Sequence, residues 1–299
     1  MGSQFQHRGL AGNAADLAHE PAVRRTFPQA ALNRARTPLP TQIWRLSRLG
    51  WHVLQGVAIA AFILPRLTSE QREQRIRLWS AGILDILHIH VVVRGSAPDP
   101  GTARTVFVAN HISWIDIWAL KHLHPIRFVA KSEILDWPVI GWLAQKGDTL
   151  FISREKRRDT GRMMKSVEQA LARGECLCFF PEGTTTDGTE LKPFKPSLFQ
   201  AAINAGATIW PLAIHYPDAA GGINTEVAYC GDITMWQSLR AILRQPHIVI
   251  ELSFCEPLSA SNAERRELAQ QSRQAIASRL PLAPHKAPGT SADLPGAAH

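Results

Sequence analysis

Cysteine is scarce, with four thiols in 299 residues, and two of them, Cys176 and Cys178, sit inside one apolar run with no paired CxxC spacing. That pattern excludes a disulfide framework and a zinc knuckle, and it favours a reducing, cytosolic setting. Neither an HExxH motif nor a Cys/His framework occurs, so no metal cofactor is expected. His88 and His90, with His122 and His124, read as strand-lining residues and not as ligands. Acids are in deficit, 25 against 33 Lys and Arg, which leaves a net charge of +8 and a pI near 9.7. A basic balance suits nucleic acid, an anionic membrane surface or a phosphorylated substrate. Nucleic acid is disfavoured, because the chain lacks the aromatic RNA-binding pattern, a KH loop and zinc fingers, and its Arg residues are scattered. No apolar run with a cleavage site follows the first basic residues, so no signal peptide is expected, and no internal repeat is visible.

A hydrophobic content of 45% suits one main domain with appendages. Residues 1–40 mix Ala, Gln, Pro and Arg without periodicity and read as a disordered basic segment, and residues 281–299 as a disordered tail. Residues 41–87 read as membrane-associating. From Ile43 to Leu64 the chain is apolar except for a polar stripe of Arg45, Arg48, His52 and Gln55, and Gly56 to Leu64 carries no polar side chain. As an uninterrupted apolar run this is shorter than the ~20 residues of a spanning helix, so a helix lying in the interface is expected. Thr68 and Gln71 form a capping-box pattern that opens a second helix, running to about Leu87. The pair reads as an amphipathic two-helix docking region, with Arg45, Arg48, Arg72, Arg75 and Arg77 toward anionic lipid. Two helices packed on a core would show the same pattern.

Residues 88–280 alternate between strand and helix signals, which predicts an α/β domain with a mixed sheet flanked by helices on both faces. Strands are expected at His88–Arg94, Thr105–Ala109, Arg127–Ala130, Thr149–Ser153, Cys176–Phe180, Thr208–Ile214, Glu226–Tyr229 and Ile248–Phe254. Helices are expected at Trp114–Leu123, near Pro138–Gln145, at Asp159–Arg173 and at Ser197–Ala205, and Ser261 should cap a last one. Pro211 inside a strand implies an edge or a bulge.

Three strand ends carry polar clusters. After Thr105–Ala109 comes Asn110–Asp116, where His111 can act as a general base if Asp116 holds its other ring nitrogen. Five positions do not share a helix face, so His111 must lie in the turn and Asp116 in the first helical turn. Ser113 is a rival nucleophile, but no nucleophile elbow surrounds it. Thr149–Arg158 delivers Arg154, Lys156, Arg157 and Arg158 at a strand end, where a guanidinium can grip a phosphate. Phe179–Gly188 ends in Pro181, Glu182 and Gly183, a tight turn able to converge on a polyol or an oxyanion. Lys131 is a further strand-end cation.

With these residues in hand, the chain resembles the lysophospholipid acyltransferases of the 1-acylglycerol-3-phosphate acyltransferase type. The resemblance rests on NHISWID at 110–116, FISR at 151–154, FPEGT at 180–184 and WPLAI at 210–214, and it spans roughly residues 75–255. It implies that His111 is the base, Asp116 its partner, and Arg154, Glu182, Gly183 and Thr184, helped by Lys131, the acceptor site. It also implies a membrane lipid acceptor, 1-acyl-sn-glycerol-3-phosphate before a lyso-ornithine lipid. Acyl-CoA or acyl carrier protein (acyl-ACP) serves as co-substrate, with no cofactor. The protein is then expected on the cytoplasmic face of the inner membrane, monotopic or peripheral. His111→Ala should abolish transfer and Asp116→Ala cost somewhat less. The departure is Thr185 and Thr186, where the family often has Ser.

Overall fold

Along strand β2 (Thr105–Ala109), Val106 and Val108 point to one side and Phe107 and Ala109 to the other, and every residue is buried. Such a strand needs cover on both faces. The structure is a computed structural model describing residues 36–99, 102–152, 157–261 and 263–282. Numbered in chain order, β1 (Ile89–Arg94), β7 (Ile248–Phe254), β6 (Thr208–His215), β2, β5 (Cys176–Phe179), β3 (Ile126–Lys131) and β4 (Leu150–Ile152) lie side by side in that order, and β8 (Leu258–Ser259) pairs with β6. From β6 to β4 the strands are parallel, while β7 runs antiparallel to β6 and parallel to β1. The sheet is therefore mixed, as expected.

On one face, α2 (Ser69–Ile86), α3 (Ile115–Leu123) and α7 (Met235–Arg244) bring Leu84, Leu120 and Ile242 onto Phe107, Leu212 and Leu252. On the other, α5 (Arg157–Ala172), α6 (Phe199–Asn204) and α8 (Arg265–Ala277) bring Leu171, Phe199 and Leu268 onto Val108, Leu177 and Ile209. Alternate residues of one strand thus belong to two separate cores.

β6 is central, so Pro211 is not on an edge, and the bulge reading holds: between the pairs Leu212–Phe254 and Ile209–Leu258 the antiparallel neighbour carries one residue more than β6, and the Cys255 N–H donates to the Pro211 carbonyl at 2.9 Å. A missing N–H is tolerated at such a break in the ladder. The structure corrects three expectations. Glu226–Tyr229 is no strand: Thr225–Val227 form a 3-10 turn, and the Tyr229 N–H is bonded to the Ile112 carbonyl at 2.9 Å instead of to a sheet neighbour. The last helix starts four residues after Ser261, at Arg265 with Glu264 as N-cap. α7 was not expected, although Thr234 and Gln237 form the same capping box as Thr68 and Gln71.

The first helix, α1 (Leu39–Ala58), continues through a π turn at Ile59–Ile63 and a 3-10 turn at Leu64–Arg66. Arg45, Arg48 and His52 of its polar stripe face the protein, while Gln55 is exposed. Arg45, 4% exposed, donates to the carbonyls of Gln245 and Pro246 at 2.9 and 2.8 Å, at the carboxyl end of α7. That is where a helix leaves carbonyls unpaired and welcomes a cation. Arg48 pairs with Asp85, Arg72 with Asp148, and Arg77 donates to the His122 carbonyl. Of the five guanidiniums read as facing anionic lipid, Arg45 is thus buried, Arg48, Arg72 and Arg77 have partners within the protein, and Arg75 is exposed. His52 stacks on Trp79, and each bonds the other's main-chain carbonyl, while Gly56 and Gly82 leave room for the rings. A Cβ on Gly56 would lie 2.5 Å from the Trp79 ring.

The outward side is apolar. Leu39, Ile43, Trp44, Trp51, Leu54 and Phe62 are exposed. The 28-residue segment Leu39–Arg66 is long and apolar enough to cross a membrane, and 11% of its most apolar window is buried in the protein. Residues 1–35 and 283–299, expected to be disordered, lie outside the described residues.

Candidate active site

β2 ends at Ala109, and the Asn110 side chain takes over the pairing: it donates to the Ile214 carbonyl at 2.9 Å and accepts from the Ile214 N–H at 2.7 Å. That amide imitates a ladder pair and pins the following loop to β6. The loop then curls over the start of α3. Asp116, fully buried in the first helical turn, accepts from the Ile112 N–H at 2.8 Å, the Ser113 N–H at 3.0 Å and His111 Nδ1 at 2.8 Å, all on Oδ2. The Tyr216 hydroxyl donates to Oδ1 at 2.6 Å. A separation of five residues thus works because the loop wraps one carboxylate.

This contact assigns the proton to Nδ1 and leaves Nε2 as the basic atom. The His111 side chain is 18% exposed, and its ring stacks on Phe180 at 3.8 Å and 7°, with Phe128 stacked behind. One face is fixed, and the side chain stays partly exposed. Burial, and then the neighbouring Asp116 charge, push the Tyr216 hydroxyl well above its usual pKa, so it remains a neutral donor. The same two causes raise the Cys178 thiol and keep it inert.

Glu182 follows β5, the strand next to β2, and is 3% exposed. Its Oε1 accepts from the His111 N–H at 3.0 Å and Oε2 from the Lys192 N–H at 2.9 Å. Burial raises its carboxyl pKa, against the lowering effect of those two amides. The carboxylate therefore braces the backbone under His111, a role that the resemblance did not include. Glu182→Gln presents an NH₂ to one of two N–H donors, and Glu182→Ala leaves both buried amides unpaired, at about 1–3 kcal/mol each. The expected result is a lower melting temperature and a lower kcat with KM for the lipid acceptor unchanged. A rise confined to KM would support the acceptor role instead.

Gly183 adopts φ +71, and its N–H closes the turn on the Phe180 carbonyl at 3.0 Å, so it has no donor left for an oxyanion. Thr184 is exposed beside it. Thr185 donates through its hydroxyl to the Tyr229 carbonyl, and the Thr186 N–H donates to the His111 carbonyl at 2.9 Å, which ties this turn to the His111 loop. Lys131 is exposed at the carboxyl end of β3. Arg154 lies outside the described residues, as do Lys156 and the side chains of Arg157 and Arg158. Because β2, β5 and β3 are adjacent and parallel, the segments that follow them line one edge of the sheet. Ser113 is fully buried, which removes it as a nucleophile. Sequence reasoning missed Tyr216, the Asn110 clamp and the Phe180 platform. Asn110 and Phe180 were in view inside motifs, but nothing signals a partner for Asp116 at a distance of 100 residues.

A family model described as Acyltransferase matches residues 90–215. A lyso-ornithine lipid O-acyltransferase of Pseudomonas aeruginosa is 36% identical over 243 residues, covering 78% of this chain and 90% of that protein. A 1-acyl-sn-glycerol-3-phosphate acyltransferase of Neisseria meningitidis serogroup B is 36% identical over 197 residues, covering 66% and 76%. The crystal structure of the 1-acyl-sn-glycerophosphate (LPA) acyltransferase PlsC from Thermotoga maritima shares the fold, with a TM-score of 0.62 at 18% identity over 81% of this chain and 93% of that one.

Proposed function

The chain belongs to the acyltransferase family, and on that premise we propose that it moves a fatty acyl group from an acyl thioester to the free hydroxyl of a lyso-lipid. The observation that carries this reading is the His111–Asp116 pair at 2.8 Å, held by a buried network while the imidazole itself stays partly exposed. His111 Nε2 takes the proton of the acceptor hydroxyl as its oxygen attacks the thioester carbonyl. The tetrahedral adduct then expels the thiolate, which recovers the proton from the imidazolium. Asp116 stabilises that transient cation, and no acyl-enzyme or metal is invoked. The donor is acyl-CoA or acyl carrier protein, and the outward apolar side of α1 holds the protein on the cytoplasmic face of the membrane. Purified protein assayed with a panel of lyso-lipids and both donor types tests this reading, and inactivity throughout rejects it.

For the acceptor, 1-acyl-sn-glycerol-3-phosphate fits the exposed Lys131 and the basic segment that follows β4. Lyso-ornithine lipid is supported by the Pseudomonas relative. Charge-assisted bonds to a phosphate contribute about 1.5–3 kcal/mol. Arg154→Ala should therefore lower kcat/KM roughly ten- to a hundredfold on lysophosphatidic acid, and less on lyso-ornithine lipid. Equal losses on both, or a parent that ignores lysophosphatidic acid, would overturn the phosphate assignment alone.

A further inference from the structure

Between β3 and β4 the chain puts four large apolar side chains into solvent: Leu135, Val139, Ile140 and Trp142 are 41, 48, 40 and 37% exposed. Scattered exposure is ordinary, but four such residues in one short connection form a patch. The connection is stiffly built. It consists of a 3-10 turn at Ser132–Asp136 and the helix α4 (Ile140–Lys146), and Gly141 seats the helix directly on the turn. A Cβ at Gly141 would lie 2.6 Å from the Ile134 carbonyl oxygen and closer still to that of Leu135. Val139 adopts φ +64, a costly conformation for a β-branched residue, so the surrounding contacts hold an apolar turn outward against local preference.

Its surroundings name the partner. Trp137 meets Tyr229 edge-on at 6.3 Å, and the Tyr229 N–H is bonded to the Ile112 carbonyl, next to His111. On the other side, Leu143 and Ala144 share the wall of a small cavity with Ile59, Ala60 and Leu64, so α4 packs beside the turns that follow α1, where Phe62 is exposed. Lys131 stands at its start, with Glu133 and Asp136 exposed after it, and Lys146 at its end reaches over the Trp142 ring, 5.6 Å from the centroid, so the connection is a charge-balanced rim around an apolar patch. Aliphatic groups, an indole and flanking lysines with long stems are the chemistry of a bilayer interface.

We propose that the β3–β4 connection is a second lipid-contacting element, seated through its apolar side chains in the headgroup region of a bilayer beside the end of the first apolar helix. It turns the His111 edge of the sheet toward the membrane, so that the acceptor enters from the lipid. This inference rests on the lyso-lipid acyltransferase reading.

The test compares the parent with Leu135→Glu, Ile140→Glu and the double variant, after circular dichroism has established that each is folded. Co-sedimentation and turnover are measured on phosphatidylcholine vesicles with and without phosphatidylglycerol, using an acceptor that the parent accepts. Turnover is also measured on a short-chain, monomeric form of that acceptor with acyl-CoA and with acyl carrier protein as donor. Removing one buried aliphatic side chain from lipid is a change of about tenfold or more, so the double variant should lose at least that on anionic vesicles and bind them less. Turnover of the monomeric acceptor should not change. Unaltered vesicle binding and turnover would overturn the proposal. A loss seen only with the carrier-protein donor would also overturn it and assign the patch to that protein. If the parent acylates nothing, the functional reading fails, and co-sedimentation alone still decides whether the patch binds lipid.

Discussion

His111→Ala is expected to cut turnover by about 10² to 10⁴ while the protein stays folded, because deleting a general base removes that much and little else depends on the ring. The side chain is only partly buried, and the carboxylate it leaves keeps the Ile112 and Ser113 N–H groups and the Tyr216 hydroxyl. The loss should appear in kcat at every pH, with melting temperature near that of the parent. Stopped assays with saturating acceptor and donor measure the first, and thermal denaturation the second. Near-parental turnover would eliminate the mechanism.

Substitution of Asp116 should separate chemistry from folding in a way that spacing alone does not suggest. Asp116→Asn keeps the shape: its oxygen can take the place of Oδ2, and its NH₂ can donate to Tyr216, whose hydroxyl is also an acceptor. What it removes is the charge that stabilises the imidazolium, so the expected result is a folded enzyme slowed by about 10² to 10⁴. Asp116→Ala instead strands four donors in the core, at about 1–3 kcal/mol each where no water reaches them. Against a typical total of about 5–15 kcal/mol, that is a large fraction of the stability. The alanine variant should therefore be the more damaged protein of the two, and also more damaged than His111→Ala, reversing the order expected from spacing. Calorimetry and turnover on both variants check this, and equal melting temperatures for Asn and Ala would refute the network.

Much of the α/β domain was legible because strands buried on both faces must be apolar and short. Thr105–Ala109 and Ile248–Phe254 match the expected strands at both ends. Glu226–Tyr229 failed because an alternating apolar pattern does not say where the backbone amides go, and here they serve the catalytic loop. α7 was overlooked despite its capping box and an apolar side made by Leu239, Ile242 and Leu243, because the helix is only ten residues long. The polar stripe of α1 was legible, but its direction was not. Spacing defines two sides of a helix and is silent about which one meets the protein.

The sequence by itself determined the alternating fold, the polar strand ends and the placement of His111 in a turn with Asp116 at the head of a helix, because these follow from periodicity, turn chemistry and short spacing. Only the tertiary structure decided that Tyr216 completes the buried carboxylate network, that Glu182 braces the backbone of His111, and that Arg45 ties α1 to the end of α7. Each of those bonds joins residues at least 71 positions apart. Which distant groups meet is set by the order in which strands are laid side by side and by the closure of both cores around them, and no local pattern encodes that.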